Sequence, residues 1–141
     1  MGMKQILVMM AVMAVMVLKA QSVVADEKLI ADPIVEWEIR KKLLKPEGEL
    51  TEADLEKVTS LQLPYGYKIT DLSLKEVAKL QKLTDLSLDN TKITDAGLNE
   101  LAKLQKLEML YLRDTQVTEA GVAELKKALP KCEITHSYKK D

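Results

Sequence analysis

The chain has 141 residues, with 21 Lys and Arg against 22 Asp and Glu, one His, one Cys, seven Met and no Phe. That length argues for one domain, and a formal charge of −1 supplies no broad basic field to hold nucleic acid. A lone Cys excludes an internal disulfide framework, Cys132 with His136 cannot furnish the three or four ligands of a zinc site, and any Ser-His or Cys-His pair would have to run through His136.

Six of the seven Met fall before Val17. There Lys4 precedes an apolar run from Ile6 to Leu18 that holds no charge, followed by Lys19 and the small-residue segment Ala20 to Ala25. The run is too short for a bilayer span, which needs about 20 apolar residues, so residues 1–25 are expected to be a signal peptide. Val23 and Ala25 suit the −3 and −1 positions, which places cleavage after Ala25; cleavage after Ala20 and an uncleaved anchor are the alternatives. No Cys follows the run to carry a lipid anchor, and Ile6 stands where myristoylation wants Ser or Thr. The leader holds Lys4 and Lys19 and no acid, so without it the basic residues fall to 19 against 22 acidic ones, a formal −3. Leucine is the commonest residue of what remains.

Residues 26–57 read as a linker and helical cap. Asp32-Pro33 suits an N-cap and first helical position. Val35, Ile39 and Leu43 then form one stripe, and Glu36/Arg40 and Glu38/Lys42 are spaced for ion pairs. Pro46-Glu47-Gly48 ends this helix, and Thr51 to Asp54 opens a shorter one. Trp37, off the stripe, is expected at the edge of the cap.

From Val58 the chain repeats itself. ITDLSLKEVAKLQK from Ile69, ITDAGLNELAKLQK from Ile93 and VTEAGVAELKKALP from Val117 follow one another at a constant offset. Ahead of them lie Val58, Leu61, Leu63; then Leu83, Leu86, Leu88; then Leu107, Leu110, Leu112; and Leu129, Cys132, Ile134 repeat the spacing once more. The paired leucines alternate as a strand does. Thr70, Thr94 and Thr118 are placed to cap short helices whose first turns carry Asp71, Asp95 and Glu119 at the positive dipole end. Leu74/Val77, Leu98/Leu101 and Val122/Leu125 turn one helical stripe toward the strands. Gly97 and Gly121 recur with the repeat and so are structural.

The pattern L-x-x-L-x-L-x-x-T-x-I-T-x-x-G-L-x-x-L resembles the leucine-rich repeat over residues 58–134. The segment from Ile39 to Leu63 is similar to the cap of bacterial secreted and surface members, internalin-like ones included. The resemblance implies an α/β solenoid of three units, with parallel strands on the concave side, short helices on the convex side, an α-helical N-terminal cap and a polar tail from 135 to 141. Many such repeats have Asn at the positions of Thr91 and Thr115, bonding the loops of adjacent coils; a Thr hydroxyl could do so with fewer bonds. An extra residue in the loop Pro64 to Lys68 breaks that ladder near Gly66 and Tyr67.

Leucine-rich repeats usually bind proteins through the concave strand face, and the resemblance implies the same here. The outward columns read Ser60, Asp85, Met109; Gln62, Ser87, Tyr111, Glu133; and Pro64, Asp89, Arg113, Thr135. Met109, Tyr111 and Arg113 are types enriched at interface centres, Asp85, Ser87, Asp89 and Gln62 flank them, and Tyr65 and Tyr67 extend the patch. Asp85, Asp89, Asp95 and Asp114 lack the spacing of a calcium loop and read as an acidic rim. Cys132 reads as a small buried hydrophobe, and His136 as solvated beside the tail lysines. Lys126, Lys127, Lys131, Lys139 and Lys140 make the C-terminal end locally basic. There is no phosphate loop, metal-spaced cluster or nucleophile elbow. The expectation is a secreted or periplasmic, cell-envelope monomer without catalysis, cofactor or metal, binding a protein or envelope component. A self-associating envelope protein joined through Cys132 or its open end, and a regulator or inhibitor of an enzyme, are the alternatives.

Overall fold

The computed structural model describes residues 27–63, 65 and 68–137. The expected leader, and with it the cleavage site, lies outside the described residues, as do Pro64, Gly66, Tyr67, Lys139 and Lys140.

Among the described residues two helices precede the first strand. Helix α1 spans Pro33–Leu43, where Asp32 Oδ1 accepts from Ile34 N at 2.9 Å and Val35 N at 3.1 Å and Pro33 occupies the first turn. It stops where Leu44 adopts the left-handed conformation, φ 53°, and Lys45 N bonds back to Arg40 O at 3.0 Å. Val35, Ile39 and Ile30 are fully buried against the first coil. Helix α2 spans Glu52–Leu55 and carries a closed capping box: Asp54 N donates to Thr51 Oγ1 at 3.2 Å, and Thr51 N to Asp54 Oδ2 at 3.0 Å.

The rest of the described chain alternates strand and helix: β1 Ser60–Gln62, α3 Asp71–Val77, β2 Asp85–Ser87, α4 Asp95–Leu101, β3 Met109–Leu112, α5 Glu119–Ala128 and β4 Glu133–His136. The strands form one parallel sheet in the order β1-β2-β3-β4, as stacked identical units must when each follows the last by the same crossover. Leu61, Leu86 and Leu110 stand in register and are at most 3% exposed. Each such Leu contributes roughly 1.5–3 kcal/mol by leaving water. The helix stripes close the other side of the core, with Leu74, Val77 and Leu101 wholly buried. The chain thus has a leucine-rich repeat solenoid with a helical N-terminal cap.

Four details depart from the sequence expectation. Glu38 pairs with Lys41 at 3.0 Å, not with Lys42, because Glu38 is turned inward, 7% exposed, while Lys42 reaches over β1 to donate to Ser60 Oγ at 3.1 Å. Thr91 and Thr115 do not bridge coils. Each hydroxyl donates to a carbonyl three residues back in its own coil, to Leu88 O at 2.7 Å and Leu112 O at 2.9 Å, so each buried threonine closes its own loop. Thr94 and Thr118 cap their helices by accepting from Ala96 N and Gly121 N. At Thr70, by contrast, the backbone N–H donates to Ser73 Oγ at 3.4 Å.

The fourth departure is the register of β4. Cys132 N bonds Leu129 O at 3.1 Å just as Leu83 N bonds Leu80 O and Leu107 N bonds Leu104 O, so Cys132 takes the leading slot of its coil. Ile134 consequently pairs with Leu110, Glu133 with Met109, Thr135 with Tyr111 and His136 with Leu112. One residue fewer separates the leading slot from the strand than in the coil before. The sheet therefore runs on through Thr135 and His136, and His136 is half-buried at the end of a strand, not solvated in a tail.

Candidate functional site

Every second residue of a strand points away from the core, and register alone assembles those residues here into rows across the sheet. The first row is Ser60, Asp85, Met109 and Glu133; the second is Gln62, Ser87, Tyr111 and Thr135. Glu133 therefore belongs beside Met109, and Thr135 beside Tyr111, each one row earlier than the sequence spacing implied. None of these outward residues serves the core. Met109, Tyr111, Asp85 and Ser87 are half-buried and Gln62 is exposed.

The middle of the face is a contact between two side chains of one strand. Tyr111 Oη lies 3.9 Å from Met109 Sδ, which lays an aromatic ring and a polarisable thioether side by side. Asp85, opposite Met109, accepts from Thr84 Oγ1 at 2.7 Å; the same hydroxyl lies 3.0 Å from Thr59 O. The carboxylate is thereby held in place at the edge of the apolar pair.

Beyond the strand ends the expected site divides. Asp89 Oδ1 accepts from Arg113 N at 2.7 Å, so its carboxylate is a strut between coils, and the Arg113 side chain projects into solvent. Asn90 and Asp114, at the same point of successive coils, turn the chain at φ 59° and 55°, a conformation that Asn and Asp tolerate better than most residues. Tyr65 stands in the loop after β1 and is 78% exposed. Tyr67, its expected neighbour, lies outside the described residues.

One part of the face was not apparent in the sequence. Where α1 crosses β1, Glu38, Lys41 and Lys42 line a hollow of about 480 Å³ together with Ser60, Leu61 and Gln62. The cap thus extends the outward rows with one acid and two bases. The helical spacing of Glu38, Lys41 and Lys42 puts them on neighbouring positions of α1, but only the crossing of α1 over β1 says which way they face. Beside Lys41 on α1, Trp37 is 52% exposed, with the Lys41 ammonium 4.2 Å from the centre of its ring.

Two of the four carboxylates named for an acidic rim tie coils together instead: Asp89 with Arg113 N, and Asp95 with Thr118. Among the described residues no helix is long and apolar enough to cross a membrane.

No family model matches the sequence, and no curated protein matches it. Solved structures do. An internalin (InlF) from Listeria monocytogenes aligns over 76% of this chain with a TM-score of 0.51 and 23% identity. The aligned part is 36% of that internalin, so the chain spans about a third of its length. The CBM51-2 and INT domains of ZmpB from Clostridium perfringens align over 64% of this chain and 18% of theirs, with 26% identity and a TM-score of 0.48. A further Listeria monocytogenes internalin, InlC2, aligns over 77% and 67%, with 19% identity and a TM-score of 0.34. The InlF likeness is one of fold: an internalin-like leucine-rich repeat.

Proposed function

We propose that the protein is a binding module that recognises another protein through its strand face, without catalysis of its own. The observation that carries this reading is the outward row Gln62–Ser87–Tyr111–Thr135 with Met109 beside Tyr111. It is a half-buried, chemically mixed surface that contributes nothing to the core and is held rigid by a four-stranded sheet. Tyr111 and Met109 near the middle supply large contact area, and Asp85, Ser87 and Gln62 supply polar contacts around it. The hollow bounded by Glu38, Lys41 and Lys42 forms one rim and Arg113 another. An exported, cell-envelope location follows from the leader read in residues 1–25 and supports an envelope or extracellular partner. The protein acts as a monomer in this reading.

Self-association through the thiol loses its support, since Cys132 has no exposed surface. Regulation or inhibition of an enzyme would use the same face and differ only in outcome. The test is site-specific photocrosslinking in cells. A crosslinking residue at Ser87 should capture a discrete protein, and one at Ala123, exposed on α5, should capture none. Capture from Ala123 alone would move the interface to the helical side.

A further inference from the structure

The cap carries two residues whose placement works against the fold. Leu44 ends α1 in the left-handed conformation, φ 53°, where glycine is the usual residue, and it is 89% exposed. A leucine there combines an unfavourable backbone with contact to water, and glycine would avoid both. Trp37, the one Trp of the chain, stands two turns earlier and is half exposed. Trp37, Leu44 and Pro46 line one hollow of about 380 Å³ together with Arg40 and Lys41.

Two cations and no acid belong to that lining. Arg40 pairs with Glu36, and Lys41 with Glu38. The Lys41 side chain is 56% exposed against 8% for Glu38, so the ammonium is the member of that pair that faces outward. An indole, a leucine tip and an ammonium on a long stem suit a bilayer surface, where they meet the headgroup level, the acyl chains and the lipid phosphates in turn. The start of the described chain favours a bilayer over a protein partner. Glu27 lines a second hollow with Arg40, and Arg40 borders the Trp37 hollow as well. Ala25, which ends the leader read in the sequence, is two residues from Glu27 and therefore within about 7 Å of it. An apolar run that enters a membrane thus brings the bilayer to this side of the cap. A second copy is a poorer occupant, because stable pairing buries about 800 Å² per partner and the apolar part of this lining is three side chains.

We propose that the end of α1 rests on a lipid bilayer, with Trp37 and Leu44 entering the headgroup boundary and Lys41 against the lipid phosphates. Such a contact is shallow, about 5–10 Å deep, so it supplements an anchor and does not replace one. Its effect is orientation. A leader alone tethers the solenoid at one point, and a second contact at α1 fixes which way the strand face looks. The proposal rests on the leader read in residues 1–25 and not on recognition through the strand face, so either can fail without the other.

Because the chain has one Trp, its fluorescence reports on this patch alone. The full chain is reconstituted with vesicles of phosphatidylglycerol and phosphatidylcholine, the latter brominated near the top of its acyl chains. Trp37 emission is expected to shift to the blue and to be quenched roughly twofold relative to unbrominated vesicles, as befits an indole at the headgroup level. Leu44→Gly places the preferred residue at the left-handed position, so this variant should melt no lower than the parent while losing about half of the quenching. Leu72→Ala, which removes an exposed leucine from α3, should leave the quenching unchanged. Absence of quenching, whether or not the chain stays with the vesicles, would overturn the proposal, as would equal losses in the two variants. A blue shift on concentrating the protein without vesicles would also overturn it, by assigning the patch to a second copy.

Discussion

Asp71 grips Thr94 of the next coil with both carboxylate oxygens, Oδ1 accepting from the backbone N–H at 2.8 Å and Oδ2 from the hydroxyl at 2.6 Å. One coil later Asp95 holds Thr118 in the same way, at 2.8 and 2.5 Å. Asp32 begins the series from the cap, capping α1 with one oxygen and accepting from Ser73 Oγ with the other at 2.7 Å. The first-turn acids thus do more than favour the helix dipole, since they tie successive coils together. This also accounts for the glycines of the repeat. A Cβ on Gly97 would fall within 3.0 Å of both the Asp71 carboxylate and Leu74 Cδ1, and one on Gly121 would overlap the Asp95 carboxylate. The first unit has Ser73 at that position, and its hydroxyl is the group that meets Asp32.

Asp95→Ala should therefore cost about 2 kcal/mol, the scale for losing hydrogen bonds to a charged acceptor. Gly121→Ala should cost about 1–3 kcal/mol through overpacking against that carboxylate. The two are coupled, because removing the carboxylate removes what the new methyl strikes. In urea melts the double variant should lose clearly less stability than the sum of the two single variants, as residues in direct contact do. Strict additivity would mean that Gly121 is there for some other reason.

The cap carries a pH dependence of its own. The Lys45 ammonium, 2.7 Å from Asp54, holds that carboxyl well below its ordinary value of 3.8, and the Thr51 backbone N–H adds to the effect. A pKa depressed in the folded state contributes stability that is fully present above about pH 4 and is lost as the pH falls further. Asp54→Asn should lower the melting temperature most at pH 7 and clearly less at pH 2, where the stabilising contribution is partly lost. An equal deficit at both pH values would show that the ion pair is not responsible.

How much of this was legible depended on whether a residue's partner lay inside its own unit. The caps at Asp32, Thr51, Thr94 and Thr118, the inward leucines and the Glu36/Arg40 pair all follow from local spacing, because a helix or strand fixes those neighbours. The coil-to-coil bonds do not, since Asp71 and Thr94 are 23 residues apart and only the stacking height brings them together. The register of β4 failed for a similar reason. Cys132 and Ile134 mimic the spacing of Leu110 and Leu112, and a strand slipped by one slot buries equally apolar residues until the hydrogen bonds decide.

Cys132 gives a direct measure of how firmly the last coil is closed. It has no exposed surface, burial pushes its thiol pKa up, and the charge of Lys126 only partly counteracts this. The Lys126 ammonium also donates to the Cys132 carbonyl, pinning the turn that covers it. Its reaction with a disulfide reagent at pH 8 should be about a hundredfold slower than in denaturant, in keeping with an inert buried thiol. A fast reaction in the native protein would mean that β4 detaches readily, and would reopen the thiol as a joint between molecules.

Leu110 and Tyr111 are adjacent on β3 and face opposite ways, so they separate stability from recognition within one strand. Leu110 is 1% exposed, and Leu110→Ala should cost about 2–5 kcal/mol by opening a cavity between coils. Tyr111→Ala with Arg113→Ala removes the outward ring and the solvent-exposed guanidinium while leaving the backbone bond from Arg113 N to Asp89 intact. That double variant should unfold within about 1 kcal/mol of the parent and lose the protein captured from Ser87. The strand face is ruled out as the interface if the double variant retains full affinity for that protein. A loss of both binding and fold would show that Tyr111 packs as part of the core, against its half-buried position in the outward row.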